Sequence, residues 1–163
     1  MNSHFGHSIP SPSPSRQHSA TVLEIARGTT RWLQTLGFSC VSELTLPSGR
    51  RADLAAMNAR GDVWIVEIKS SLEDLRADHK WQDYRAHCDR LFFAFTRDLP
   101  CEIFPPDTGL IVADAYGAYL HCDAPEHRMA AATRKSVIVS FGMVAAQRMN
   151  RLIDPQGHIE IIG

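Results

Sequence analysis

The sequence predicts an α/β domain: a mixed sheet flanked by helices, with an αβββαβ core and an additional long C-terminal helix. Three observations carry that expectation. Apolar residues recur at helical spacing near both ends of the chain. Between residues 38 and 69, short runs of strand character alternate with turns containing Gly, Pro or Asn. One run, VWIVEIK at 63–69, is apolar on both faces apart from Glu67 and Lys69, as a central strand covered on each side must be.

The elements follow in order. Val22, Leu23, Ile25, Ala26, Leu33 and Leu36 recur after Ser19 and Gly37 supplies a stop, which predicts a first helix over 20–36. FSCVSELTL has period-two character, PSGR turns the chain, RADLAAM begins a second strand, and NARGD turns it again before VWIVEIK. These three strands are expected as an antiparallel meander. Ser70 and Glu73 have capping-box spacing, so a helix capped by Ser70 is expected next, with Ala77, Trp81, Tyr84 and Cys88 as its stripe and a break near Asp78. That helix permits a crossover to a parallel fourth strand, RLFFAFT, followed by GLIVADA, a YGA turn and YLHC. The final helix is expected over 127–153, ended by Asp154 and Pro155.

A chain of 163 residues, 44% hydrophobic and 21% charged, buries a core as one domain without disulfides. Cys40, Cys88, Cys101 and Cys122 form no CxxC pair, which argues against a zinc knuckle or redox motif and for reduced thiols in the cytoplasm. Residues 1–18 alternate Ser and Pro and lack an apolar core segment, so they are expected as a disordered tail, not a signal peptide, ahead of a domain over 19–163. His4, His7 and His18 in that arm lack metal-ligand spacing. No apolar run reaches the roughly 20 residues that span a bilayer. The formal charge of −1 is not the footprint of a strongly basic nucleic-acid binder. Arg128, Arg134, Lys135, Arg148 and Arg151 nevertheless occur without an intervening acid and can form one positive face.

Asp53 lies on the second strand, and Glu67 and Lys69 share one face of the third. Cross-strand pairing brings two carboxylates together, which is repulsive unless a divalent cation joins them. Two carboxylates, the Ile68 carbonyl and water form a donor set suited to Mg²⁺ or Mn²⁺. Lys69 then faces a phosphate oxygen or the attacking water, a constellation for phosphodiester hydrolysis. Salt-bridged strand charges are the competing explanation. Arg50 and Arg51 flank the hairpin entrance, where guanidinium groups can hold phosphates.

Asp53, thirteen intervening residues, then Glu67-Ile68-Lys69 resembles the D-x(n)-E-x-K signature of the PD-(D/E)XK nuclease superfamily. GRRADL, VEIKSS, DHKWQDY and CDRLFFAF together resemble the MmcB-type family of bacterial DNA-repair endonucleases, over most of 21–154. The resemblance implies a restriction-endonuclease-like fold, a divalent metal, a role in the DNA-damage response, and DNA, damaged or branched, as substrate beside other repair proteins. It assigns Asp53 and Glu67 as metal ligands and Lys69 as the catalytic lysine. Ala52 departs from the proline of the superfamily motif. The superfamily often adds one acidic ligand, for which Glu43 ranks above Glu24. Lys80 and Tyr84 resemble its polar-x-x-x-Tyr element, with Lys80 on a phosphate and the Tyr84 hydroxyl orienting Lys69 or Glu67. Ser70 can touch DNA, although helix capping explains it. The alternative is a non-catalytic module that binds DNA structures or docks proteins in the damage response. A phosphodiesterase acting on RNA or nucleotides is a weaker third, since the chain has no RNA-recognition aromatics of a familiar pattern and no GxxxxGK loop.

Overall fold

In the computed structural model, which describes residues 14–157, six strands form one mixed sheet in sequence order. They are β1 (Phe38–Thr45), β2 (Arg51–Asn58), β3 (Val63–Lys69), β4 (Arg90–Phe95), β5 (Gly109–Ala113) and β6 (Ala118–Cys122). β1, β2 and β3 form the expected antiparallel meander, β4 and β5 run parallel to β3, and β6 turns back. The parallel step follows from chain length. Joining β3 to β4 requires a crossover, and residues 70–89 supply one.

Helix α1 (Pro14–Thr35) covers one face of the sheet and seats Ile25 and Leu33 against Leu54, Val66, Phe92 and Ile111. Helix α3 (Ala131–Ile153) covers the other, with Val137 and Phe141 against Leu44, Ala55, Ile65 and Leu91. Alternate residues of β3 thus enter different cores, which is why the strand reads as continuously apolar. Fully burying a side chain such as Ile65 or Phe92 contributes roughly 1.5–3 kcal/mol.

Four boundaries depart from the expectations, each for a local reason. α1 starts at Pro14, ahead of Ala20; proline is tolerated in a first turn, where its missing N–H has no helical partner. Of the expected tail, residues 1–13 lie outside the described residues. α2 is short (Leu72–Ala77), and its N-cap is Ser71, not Ser70: the Ser71 hydroxyl accepts from the Asp74 N–H at 3.1 Å, and the Asp74 carboxylate accepts from the Ser70 N–H at 3.2 Å. The helix breaks at Asp78, as the sequence suggests, but Trp81–His87 is a separate 3₁₀ segment rather than its continuation. α3 begins at Ala131 rather than His127, because the preceding chain is pinned by the His127 N–H to the Asp89 carbonyl and by Arg90 to the Ala124 carbonyl.

Among the described residues, no helix is long and apolar enough to cross a membrane.

Candidate active site

The β2–β3 ladder ends at Leu54↔Val66, while β1–β2 continues to Thr45↔Arg51 and β3–β4 to Lys69↔Phe95. β2 and β3 therefore part at one end of the sheet. In the same register, the next opposed residues are Asp53 and Glu67. Their side chains take over from the missing ladder: Asp53 Oδ2 accepts the Ile68 N–H at 2.8 Å, and Glu67 Oε1 accepts the Asp53 N–H at 3.2 Å. Each carboxylate thus satisfies a backbone donor that the splayed strands leave behind. The cleft lies at the carboxyl end of β3, which runs parallel to β4, and ligands in open α/β sheets bind outside the carboxyl ends of the strands.

Burial makes this pair chemically unusual. Glu67 is 4% exposed, and its carboxyl is pushed up to about 8 by burial first and by the Asp53 charge second. Asp53 is also raised, again chiefly by burial, against the Ile68 hydrogen bond and the Lys69 charge that lower it. Two adjacent acids in a place this poor in water need a retained proton or a cation between them. Lys69 does not fully meet that need, because its Nζ lies 2.7 Å from Asp78 Oδ2.

Lys69 is 5% exposed, with its ammonium 5.9 Å from the Phe93 ring centre. Burial pulls its pKa down, but the Asp78 hydrogen bond and charge, with Asp74 and Glu67, outweigh that and hold it above its ordinary value. Lys69 therefore stays an ammonium. Tyr84 lies beneath this cluster: its hydroxyl donates to the Arg51 carbonyl at 3.1 Å and is held above the usual phenol range by burial and by the charges of Glu67, Asp53 and Asp78.

Asp53, Glu67, Ile68, Lys69 and Tyr84 are thus brought together. Glu43 is not. It takes a left-handed φ of 50°, an uncommon conformation for a non-glycine residue, and its exposed carboxylate faces Arg51 at 3.7 Å. Glu24 is exposed on α1, across the sheet from the pair. Among the described residues, no three His, Cys, Asp or Glu side chains converge as a cation cage. The chain accordingly offers two carboxylates there, which the Ile68 carbonyl and water would complete as a donor set for Mg²⁺.

The expected phosphate contacts divide. Arg51 and Lys80 are exposed near the cleft, whereas Arg50 is held by Asp83 through Nε at 2.9 Å and Nη2 at 2.8 Å. Ser70 is engaged by Asp74 through its backbone. In the C-terminal basic stretch, Arg134 grips Asp89 with two nitrogens, at 2.6 and 2.8 Å, and Arg148 donates to the Ser42 hydroxyl. Both cations turn inward, so the expected positive face is reduced to the exposed Arg128, Lys135 and Arg151.

Sequence reasoning treats Asp78 only as a helix break. It is also the partner of the buried Lys69, reached because the short helix α2 returns the chain to the end of β3. Asp78→Ala leaves that ammonium buried and unpaired, and is expected to cost about 3 kcal/mol of unfolding free energy, measured by urea titration.

Comparisons with known proteins place the chain. A solved protein of unknown function from Silicibacter pomeroyi superposes with a TM-score of 0.81 at 42% identity, over 84% of this chain and 94% of that one. No curated protein matches. The profile described as "DNA repair protein MmcB-like" matches residues 9–156. With the whole sheet, both long helices and the Asp53–Glu67–Lys69 cleft inside that match, the chain belongs to the MmcB-like family of DNA repair proteins.

Proposed function

We propose that this protein is a divalent-metal-dependent deoxyribonuclease of the PD-(D/E)XK type, hydrolysing phosphodiester bonds in damaged or branched DNA. The observation that supports it most is the half-buried Asp53 beside the buried Glu67, joined through backbone hydrogen bonds at the parting of β2 and β3, with an ammonium beside them. Asp53, Glu67 and the Ile68 carbonyl would hold Mg²⁺ or Mn²⁺. When bound, that ion lowers the pKa of a water and offsets negative charge on the phosphate.

The chain's own groups divide the remaining work. Lys69 presents a permanent positive charge toward a phosphate oxygen, and Asp78 fixes its direction. Phe93 and Tyr84 wall the cleft and keep water from screening that charge. Tyr84, tied to the Arg51 carbonyl, holds the end of β2 so that Asp53 stays opposite Glu67. Arg51, whose exposed guanidinium is only loosely paired with Glu43 at 3.7 Å, and the exposed Lys80 can meet phosphates outside the cleft.

The test is a panel of branched, nicked and single-stranded DNA incubated with Mg²⁺, Mn²⁺ or a chelator. Metal-dependent cleavage by the wild type, lost in Lys69→Met, is the expected result. Cleavage that survives chelation, or an unchanged rate in Lys69→Met, contradicts the reading. A second reading, a DNA-structure-binding or protein-docking module, draws on the close Lys69–Asp78 contact, which occupies the ammonium. It predicts DNA binding without turnover under every metal condition.

A further inference from the structure

We propose that the turn between β5 and β6 is a stacking platform for a single-stranded extension of DNA, whose unpaired bases lie against Tyr116 and Tyr119. The inference rests on the reading of the cleft as a DNA site and adds a substrate class to it. Tyr116 is 84% exposed and Tyr119 45%. Among the described residues, no hydrogen bond or ring contact engages either side chain. A single exposed aromatic needs no explanation; what sets Tyr116 apart is how firmly the chain presents it.

Asp114 Oδ1 accepts the N–H groups of Tyr116 and Gly117 at 2.8 and 3.0 Å, and the Asp114 N–H donates to the Gly117 carbonyl at 3.0 Å. From α1, Arg31 Nη1 donates to the carbonyls of Ala115 at 2.8 Å and Tyr116 at 3.3 Å. Gly28 lets the turn close on that helix: a Cβ there would stand 2.0 Å from the Asp114 carbonyl oxygen and 2.5 Å from that of Gly117. The backbone is thus fixed on both sides of a side chain left in solvent. A ring positioned in advance loses little entropy when a ligand stacks on it.

Position supplies the occupant. β3, β4 and β5 run parallel, so their carboxyl ends share one rim of the sheet, where β2 and β6, running the other way, begin. Along that rim stand, strand by strand, Arg51, the Lys69 cleft, Arg97 just past β4 and Tyr116 past β5. In register, Lys69, Phe95, Val112 and Tyr119 form one cross-strand row, so Tyr119 shares the face of the sheet that carries Lys69. Three strand spacings separate the two, roughly 14 Å. That is the reach of about four nucleotides at a rise of ~3.4 Å. Arg97, Val112 and both tyrosines border a cavity of about 680 Å³ on this rim. Charge then says how a strand is held. Arg97 is exposed, but Asp98 and Asp114 border the same cavity, and Arg31 is taken up by carbonyls. With acids beside one cation, the site is no phosphate cradle, and the aromatic faces carry the binding.

The test is fluorescence anisotropy of the full chain, in chelator, with dye-labelled duplexes that are blunt or carry a single-stranded extension. About tenfold tighter binding of the extended duplex is expected, lost in Tyr116→Ala and in Tyr119→Ala and kept by Tyr116→Phe, since the ring and not the hydroxyl stacks. Arg97→Gln should flatten the logarithmic salt dependence by about 0.7, the share of one phosphate on a single strand. Circular dichroism melts of Tyr116→Ala should match the wild type, because the side chain is exposed. Equal affinity for both duplexes overturns the inference, as does a preference that survives both alanine variants, which would leave the rings to a protein partner. Cleavage with Mg²⁺, run in parallel, separates the two readings. A wild type that cleaves without preferring the extension keeps the nuclease and overturns the platform, whereas a preference lost in the tyrosine variants, without cleavage under any metal, keeps the platform and overturns the nuclease.

Discussion

Glu67→Gln is expected to reduce metal-dependent cleavage by roughly three orders of magnitude while leaving the fold at least as stable as the wild type. The two effects separate because Glu67 does two different things. Its Oε1 accepts the Asp53 N–H at 3.2 Å, and a glutamine carbonyl in the same place keeps that bond and the side-chain volume. The charge is what changes. At 4% exposure it is costly to the empty protein, and it is the charge that a divalent ion requires. Cleavage assays and urea titration at pH 8.5 check both halves. A variant that unfolds would make Glu67 a structural residue, and one that still cleaves at the wild-type rate would move the chemistry elsewhere.

Without metal, stability is expected to fall as pH rises from about 7 to 8.5. Glu67 titrates near 8 in the folded chain against an ordinary value of 4.5, so the native state binds a proton that the unfolded state has released. Its contribution is fully present below 4.5 and is lost as pH rises through 8, with an amplitude of a few kcal/mol. Asp53, raised for the same reason, acts with the same sign. Buried His87 acts oppositely: burial lowers its pKa below 6.5, so its contribution grows as pH rises through that range. The informative comparison therefore lies above pH 7, between wild type and Glu67→Gln. Urea midpoints should decline for the first and stay level for the second, and Mg²⁺ should restore the wild type at high pH. A wild-type midpoint that rises with pH over this interval would contradict the burial argument.

The meander, the central strand and the Asp53–Glu67–Lys69 set were legible because strand geometry is local. A period of two fixes which residues share a face, and an apolar run containing two charges marks where a buried strand meets its site. The crossover was harder to read. Two adjacent serines both satisfy a capping pattern, and only the backbone at Ser71, extended at φ −153° and ψ 163°, decides between them. Asp78 was illegible as a partner because its value depends on how far a short helix carries the chain back toward Lys69. Glu43 failed for the opposite reason. Its strand does lead to Asp53, but one left-handed residue turns the side chain outward, and alternation assumes regular backbone. Arg134 read as a free surface cation, yet it spans 45 positions in sequence to reach Asp89.

Under the proposed function, Asp53 and Glu67 share one divalent cation. Calorimetric titration of the full chain with Mn²⁺ at pH 7.5 tests it most directly, run beside Asp53→Asn and Glu67→Gln, each of which retains an oxygen to accept the neighbouring backbone N–H. One ion per chain, bound with proton release and lost in both variants, is the expected result. No binding at millimolar Mn²⁺, or binding that either variant leaves intact, would contradict it.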